Sequence, residues 1–275
     1  MALSILQFLL LSLCLVTYTQ AHSTESAPPR FGRFGATVTR SRREVAAALT
    51  TDPALAKLLV QNEAWAENMD ETRPGFFNTS AQSQNPAVLW LGCSDSRVPE
   101  SVITNSLPGD IFVERNIANQ VLSTDTNILA VLTYAIEHLN VSRIVIAGHT
   151  HCGGVQYCYD QAASLPTPTP NPLPPLPDPV LNTWLSGLYT LAVRLLNNPS
   201  ISTSAPQDAD AAMELITVEN VRMQVESTSE LDVVQKAWNE GKDLRIVGWL
   251  HQLENGRLKD LGICAGPDGD VGCSL

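Results

Sequence analysis

Basic side chains are scarce in this chain. Lys and Arg number 17 against 28 Asp and Glu, a formal net charge of -11, and the pI is near 4.8. The densest basic patch, Arg40-Ser41-Arg42-Arg43, is followed at once by Glu44. A surface that tracks phosphates needs Lys and Arg clustered on one face, so no nucleic-acid partner is expected. No apolar run reaches the ~20 residues that span a bilayer. Cys-x-x-Cys is absent, which removes the thiol-oxidoreductase signature. No internal repeat occurs, and a solenoid is excluded with it. What is present is 275 residues, 44% of them hydrophobic, enough for one core and one main domain.

The longest apolar run, residues 3–16, is interrupted only by Ser4, Gln7 and Ser12. Thr19-Gln20-Ala21 follows as a small-x-small cleavage site. Residues 1–21 therefore read as a secretory signal peptide, although the segment before the run carries no Lys or Arg. A secreted, extracellular protein beginning near His22 is expected, with no membrane association after cleavage. Asn78-Thr79-Ser80 and Asn140-Val141-Ser142 are glycosylation sequons, whereas Asn198-Pro199-Ser200 is blocked by its proline. Export also changes the reading of the cysteines. Cys14 leaves with the signal. Cys158, Cys264 and Cys273 are left for one disulfide, either Cys264 with Cys273 or one of them with Cys158.

Residues 22–40, rich in Ser, Pro, Arg and Gly, read as a flexible arm. Helical spacing begins at residue 41 and predicts two short helices joined near residues 50–52, the second capped by Asp52-Pro53. Apolar runs predict strands at 87–92, 110–115, 143–148 and 244–250. Helices are predicted at 127–139, capped by Asp125 or Thr126, and within 213–238. Glu254-Asn255-Gly256-Arg257 is a hairpin signal. Residues 165–180 carry eight prolines and read as an extended surface insertion. The fold class is α/β, a mostly parallel β-sheet flanked by helices in one domain over 41–262, followed by a Cys-containing tail at 263–275.

Two strand ends carry metal chemistry. Cys93 closes the first strand, and His149-Thr150-His151-Cys152 closes the third. Thiolate and imidazole are strong zinc ligands, and three of them leave a fourth position open, as in catalytic sites. His149 and His151 both fit the spacing. Two thiolates put more negative charge on the metal than imidazoles would, so activity is expected to favour alkaline pH. Asp95 and Arg97 follow Cys93 at i, i+2 spacing. An Arg fork can hold a carboxylate by two hydrogen bonds, keeping Asp95 off the metal and available as an acceptor. His22, His138 and His251 read as ordinary surface or packing residues.

Taken together, Cys93-Ser94-Asp95-Ser96-Arg97, Pro108-Gly109-Asp110, Arg115-Asn116-Ile117-Ala118-Asn119 and Gly148-His149-Thr150-His151-Cys152-Gly153-Gly154 resemble a β-class carbonic anhydrase over residues 45–262. The resemblance implies Zn2+ held by Cys93, His149 and Cys152, and reversible hydration of CO2 to bicarbonate and a proton by zinc-bound hydroxide. It implies an Asp95–Arg97 catalytic dyad. Substrate would be bound by Gln84 and an apolar wall of Phe112, Ile117 and Tyr134. Gln84 stands where the bicarbonate-regulated subtype tends to carry Trp, so the plant-like open subtype is expected. The resemblance further implies a homodimer or higher homo-oligomer, with helices near residues 42–70 embracing the partner and the pocket shared between chains. A fungal source is expected. The alternatives are a COS or CS2 hydrolase on the same scaffold and a non-catalytic secreted zinc-binding protein.

Overall fold

The structure, a computed structural model, describes residues 52–197 and 208–269. The expected signal, arm, first helix and Cys273 lie outside the described residues. The chain divides into two units at residue 72. In the first, helix α1 (Pro53–Thr72) runs for 20 residues, longer than the short helix expected. The Asp52 carboxylate accepts from the Ala54 and Leu55 amides, both at 3.1 Å, and Pro53 needs no partner. No Gly or Pro interrupts the chain before Pro74, and Ala, Leu, Lys, Gln and Glu, all strong helix formers, supply most of its first half.

The second unit begins with a short helix α2 (Phe76–Ser80) and is organised by five strands: β1 (Val88–Cys93), β2 (Ile111–Asn116), β3 (Arg143–His149), β4 (Arg245–Gln252) and β5 (Arg257–Ala265). Their order is β2-β1-β3-β4-β5. The first four run parallel and β5 returns antiparallel to β4. β1 and β3 are continuous apolar runs because both of their faces are buried, Leu89, Leu91, Ile144 and Ile146 in one cluster and Trp90, Val145 and Ala147 in another. Every residue of β3 after Arg143 is buried. The turn at 253–256 makes the hairpin, with Gly256 at φ 70°.

Helices α3 (Glu100–Ile103), α4 (Thr126–Thr133, continued as a wider turn through Tyr134–His138), α5 (Gly153–Ala163), α6 (Pro179–Leu196), α7 (Ala209–Ser229) and α8 (Asp232–Asn239) complete the unit. Asp125 is the α4 cap, accepting from Asn127 N–H at 3.0 Å. Helix α7 lies close against β3 and β4. A Cβ on Gly148 or on Gly248 would come within 2.7 Å of Val221, so both strands need glycine there. None of the described helices is long and apolar enough to cross a membrane.

Three expectations are corrected. The proline-rich stretch is irregular only through Asp178, and Pro179 is the first residue of α6. Most of the stretch is exposed, as expected of a surface insertion, but it is pinned at Leu176, which is buried and whose amide donates to Asn182 Oδ1 at 2.9 Å. Cys264 belongs to the sheet, opposite Val247, and not to the tail. Cys158 is a free, fully buried thiol on α5, so it does not staple the tail.

Candidate metal centre

The parallel register brings the carboxyl ends of β1 and β3 side by side, where function collects in such sheets. Cys93 ends β1, His149 ends β3, and Cys152 sits at the N-cap of α5. All three are buried, and their ligand atoms lie within 4.8 Å of one another. The two sulfurs are 3.9 Å apart. Two thiolates on one tetrahedral zinc, each at ~2.3 Å, would be roughly 3.8 Å apart. His149 Nδ1 lies 2.9 Å from the Thr150 carbonyl. That contact places the proton on Nδ1 and leaves a lone pair on Nε2. Nε2 is buried with no hydrogen-bond partner, which a metal ion in the cluster would supply. The donor set therefore fits zinc.

Electrostatics point the same way. Contact with Cys152, together with the Asp95 and Ala118 amides, holds the Cys93 thiol far below its usual range. The same contact with Cys93, together with burial, pushes Cys152 up.

Asp95 stands beside the cluster without joining it. Arg97 grips it with Nε on Oδ1 at 3.0 Å and Nη2 on Oδ2 at 2.7 Å, and the Arg97 amide adds a bond to Oδ1 at 2.9 Å. This fork holds the Asp95 carboxyl well below the usual carboxylate range. Asp95 Oδ2 is 3.9 Å from His149 Nε2. Arg97 Nη2 also donates to the His151 carbonyl at 3.1 Å, tying the two ligand loops together. From β2, Arg115 donates to the carbonyls of Cys93, at 2.7 Å, and of Asp95.

A sequence model of the carbonic anhydrase family matches residues 88–258. The chain belongs to the β-carbonic anhydrase family. It is 36% identical over 210 residues to a carbonic anhydrase of Emericella nidulans, covering 75% of this chain and 83% of that one. With a carbonic anhydrase of Saccharomyces cerevisiae it shares 31% over 222 residues, covering 77% and 90%. Among solved structures, a tetrameric β-carbonic anhydrase of Sordaria macrospora superposes with a TM-score of 0.67 at 34% identity, covering 78% of this chain and 100% of that one. The CafA β-carbonic anhydrase of Aspergillus fumigatus gives 0.64 at 33%, covering 76% and 90%. The chain is accordingly a carbonic anhydrase, and reversible CO2 hydration is the general reaction of its family.

For a β-carbonic anhydrase pocket, the remaining expected residues are dispersed within one chain. Ile117 borders the ligand loop: its Cγ2 lies 3.2 Å from where a Cβ on Gly154 would sit. Phe112 stacks on Tyr134 at 5.9 Å, and Tyr134 is 47% exposed. Gln84 is exposed in the loop ahead of β1. Among the described residues, no hydrogen bond or ring contact joins Gln84, Phe112 or Tyr134 to the cluster. His138 is exposed beside Tyr134. His251 is buried with neither ring nitrogen partnered, directly opposite His149 in the β3–β4 register.

Sequence reasoning missed a buried brace behind the cluster. Ala118 and Asn119 adopt left-handed conformations, with φ of 60° and 49°. The Ala118 carbonyl accepts from Gln120 Nε2 at 2.7 Å and Asn220 Nδ2 at 3.0 Å. Gln224 bonds Asn220 Oδ1 at 3.0 Å and the Val121 amide at 2.8 Å. The only signal was an i, i+4 amide pair on an apolar stripe of α7.

Proposed function

We propose that this β-carbonic anhydrase converts CO2 and water to bicarbonate and a proton outside the cell, at a zinc ion held by Cys93, His149 and Cys152. The observation that carries this reading is the convergence of two sulfurs and an unpartnered imidazole nitrogen beside a carboxylate held by Arg97. Bound there, zinc supplies a Lewis acid that brings the pKa of a water ligand toward neutrality.

The chain's own residues do the rest. Arg97 fixes Asp95 with Oδ2 3.9 Å from His149 Nε2, beside the residues that would hold the metal and not among them. The Arg97 fork holds the Asp95 carboxyl below the usual carboxylate range, which leaves it as a hydrogen-bond acceptor beside the ligands. Ile117 gives the apolar surface that a small, uncharged substrate requires. Phe112 and Tyr134 complete that wall from a second copy, with Gln84 offering a polar contact, as in the open subtype. Exposed Ile117 and Tyr134, and exposed Leu55, Leu58 and Leu59 on α1, support a homo-oligomer with a shared pocket.

Secretion is supported by the apolar run at residues 3–16. The sequon asparagines Asn78 and Asn140 are both exposed, as glycosylation requires. Cys93, Cys152 and Cys158 are free, which supports the reading that Cys264 closes on Cys273. The test of function is exchange of 18O between labelled CO2 and water, followed by mass spectrometry on the zinc-loaded mature chain. Exchange far above background is expected. A chain carrying one zinc that leaves the label untouched would contradict the proposal.

A further inference from the structure

The hairpin turn between β4 and β5 has a place in the metal centre that its sequence does not announce. Glu254 projects from that turn. Its Oε1 lies 2.7 Å from His151 Nε2, and its Oε2 accepts from Thr150 Oγ1 at 3.0 Å. Thr150 and His151 are the two residues between the ligands His149 and Cys152. The turn grips them further through the Leu253 amide, which donates to Thr150 Oγ1 at 2.9 Å. The Thr150 amide in turn donates to the His251 carbonyl at 3.0 Å.

His151 sits at φ 52°, a conformation that L side chains seldom adopt. An imidazole one residue from Cys152 is a competent metal ligand. Yet the ligand cluster is made by Cys93, His149 and Cys152 without it. His151 points instead toward Glu254 and is 47% exposed. Its own backbone amide and the bonds from Thr150 and His151 hold the Glu254 carboxyl below its ordinary range.

We propose that Glu254 is a positioning residue that holds the His151 imidazole out of the ligand cluster and so keeps the fourth metal position open. It acts on His151 as Arg97 acts on Asp95, each restraining a side chain that would otherwise compete for the metal. The proposal rests on the metal-centre reading above.

The test uses the mature chain loaded with cobalt(II) in place of zinc, with azide as a probe of the open position. Visible spectra are recorded for the parent, Glu254→Ala, His151→Ala and the double variant. Glu254 is half exposed in a turn, and His151→Ala keeps the carbonyl that Arg97 uses, so both variants should fold. The parent and His151→Ala are expected to shift their bands with azide at similar affinity. Glu254→Ala should lose at least tenfold in azide affinity, and adding His151→Ala should restore it to within about twofold of the parent. Unchanged affinity in Glu254→Ala would overturn the proposal. So would a loss that His151→Ala fails to repair, which would mean that Glu254 acts only on the backbone. A parent chain with no thiolate-to-cobalt charge-transfer band would overturn the metal centre itself, a result the spectrum distinguishes from both.

Discussion

Arg97 joins Asp95 to the loop that carries two of the proposed ligands. It holds both Asp95 oxygens and the His151 carbonyl at once. Arg97→Ala releases a carboxylate that already lies 3.9 Å from His149 Nε2. CO2 hydration is expected to fall on the order of 10- to 100-fold with zinc retained, measured by turnover alongside metal content. Arg97→Lys should recover only part, because an ammonium cannot fork. Cys158 carries a different consequence. Burial pushes its thiol up from 9.0 to about 12. Below pH 9 both states keep the proton, so the stability is fully present. As pH rises from there toward 12, the unfolded chain loses the proton first and stability falls, by about 1 kcal/mol per pH unit. Denaturant titrations at several alkaline pH values should show that extra slope in the parent and not in Cys158→Ala. At this scale the ligands were legible because metal chemistry restricts residue type and spacing. Glu254, Asn220 and Gln224 were not, since their partners lie about a hundred residues away in sequence.

The elements were legible where apolar runs are long. The expected strands match β1 to β4 to within two residues at either end, because buried parallel strands leave an unbroken hydrophobic signature. Helix α6 was hidden by the prolines ahead of it. Its cap, Asp178 followed by Pro179, repeats the Asp52-Pro53 pattern that was read for α1. The glycines at strand ends also conceal a contact. A Cβ on Gly148 would meet Val221 Cγ2 at 2.7 Å and Thr217 Cγ2 at 3.1 Å. Gly148→Ala is therefore expected to destabilise by about 1–3 kcal/mol, read from the denaturation midpoint. Because Gly148 precedes His149, zinc affinity should fall in the same variant, checked by competition with a chelator.

At the scale of the whole molecule, alternating strands and helices gave the class, and the two ligand motifs gave the edge of the sheet that carries the site. The pocket was not legible in the same way. Gln84, Phe112 and Tyr134 entered through family resemblance, and one chain does not gather them around the cluster. A shared pocket predicts that the mature chain assembles, with a light-scattering mass at least twice that of the monomer. A monomer with full turnover would contradict it. The central claim is that zinc at Cys93, His149 and Cys152 hydrates CO2. Stopped-flow hydration by the zinc-loaded mature chain, beside Cys93→Ser, tests it most directly. The account predicts rapid hydration that the Cys93→Ser variant loses together with its zinc. Background rates from a fully loaded parent, or an unimpaired Cys93→Ser, would contradict it.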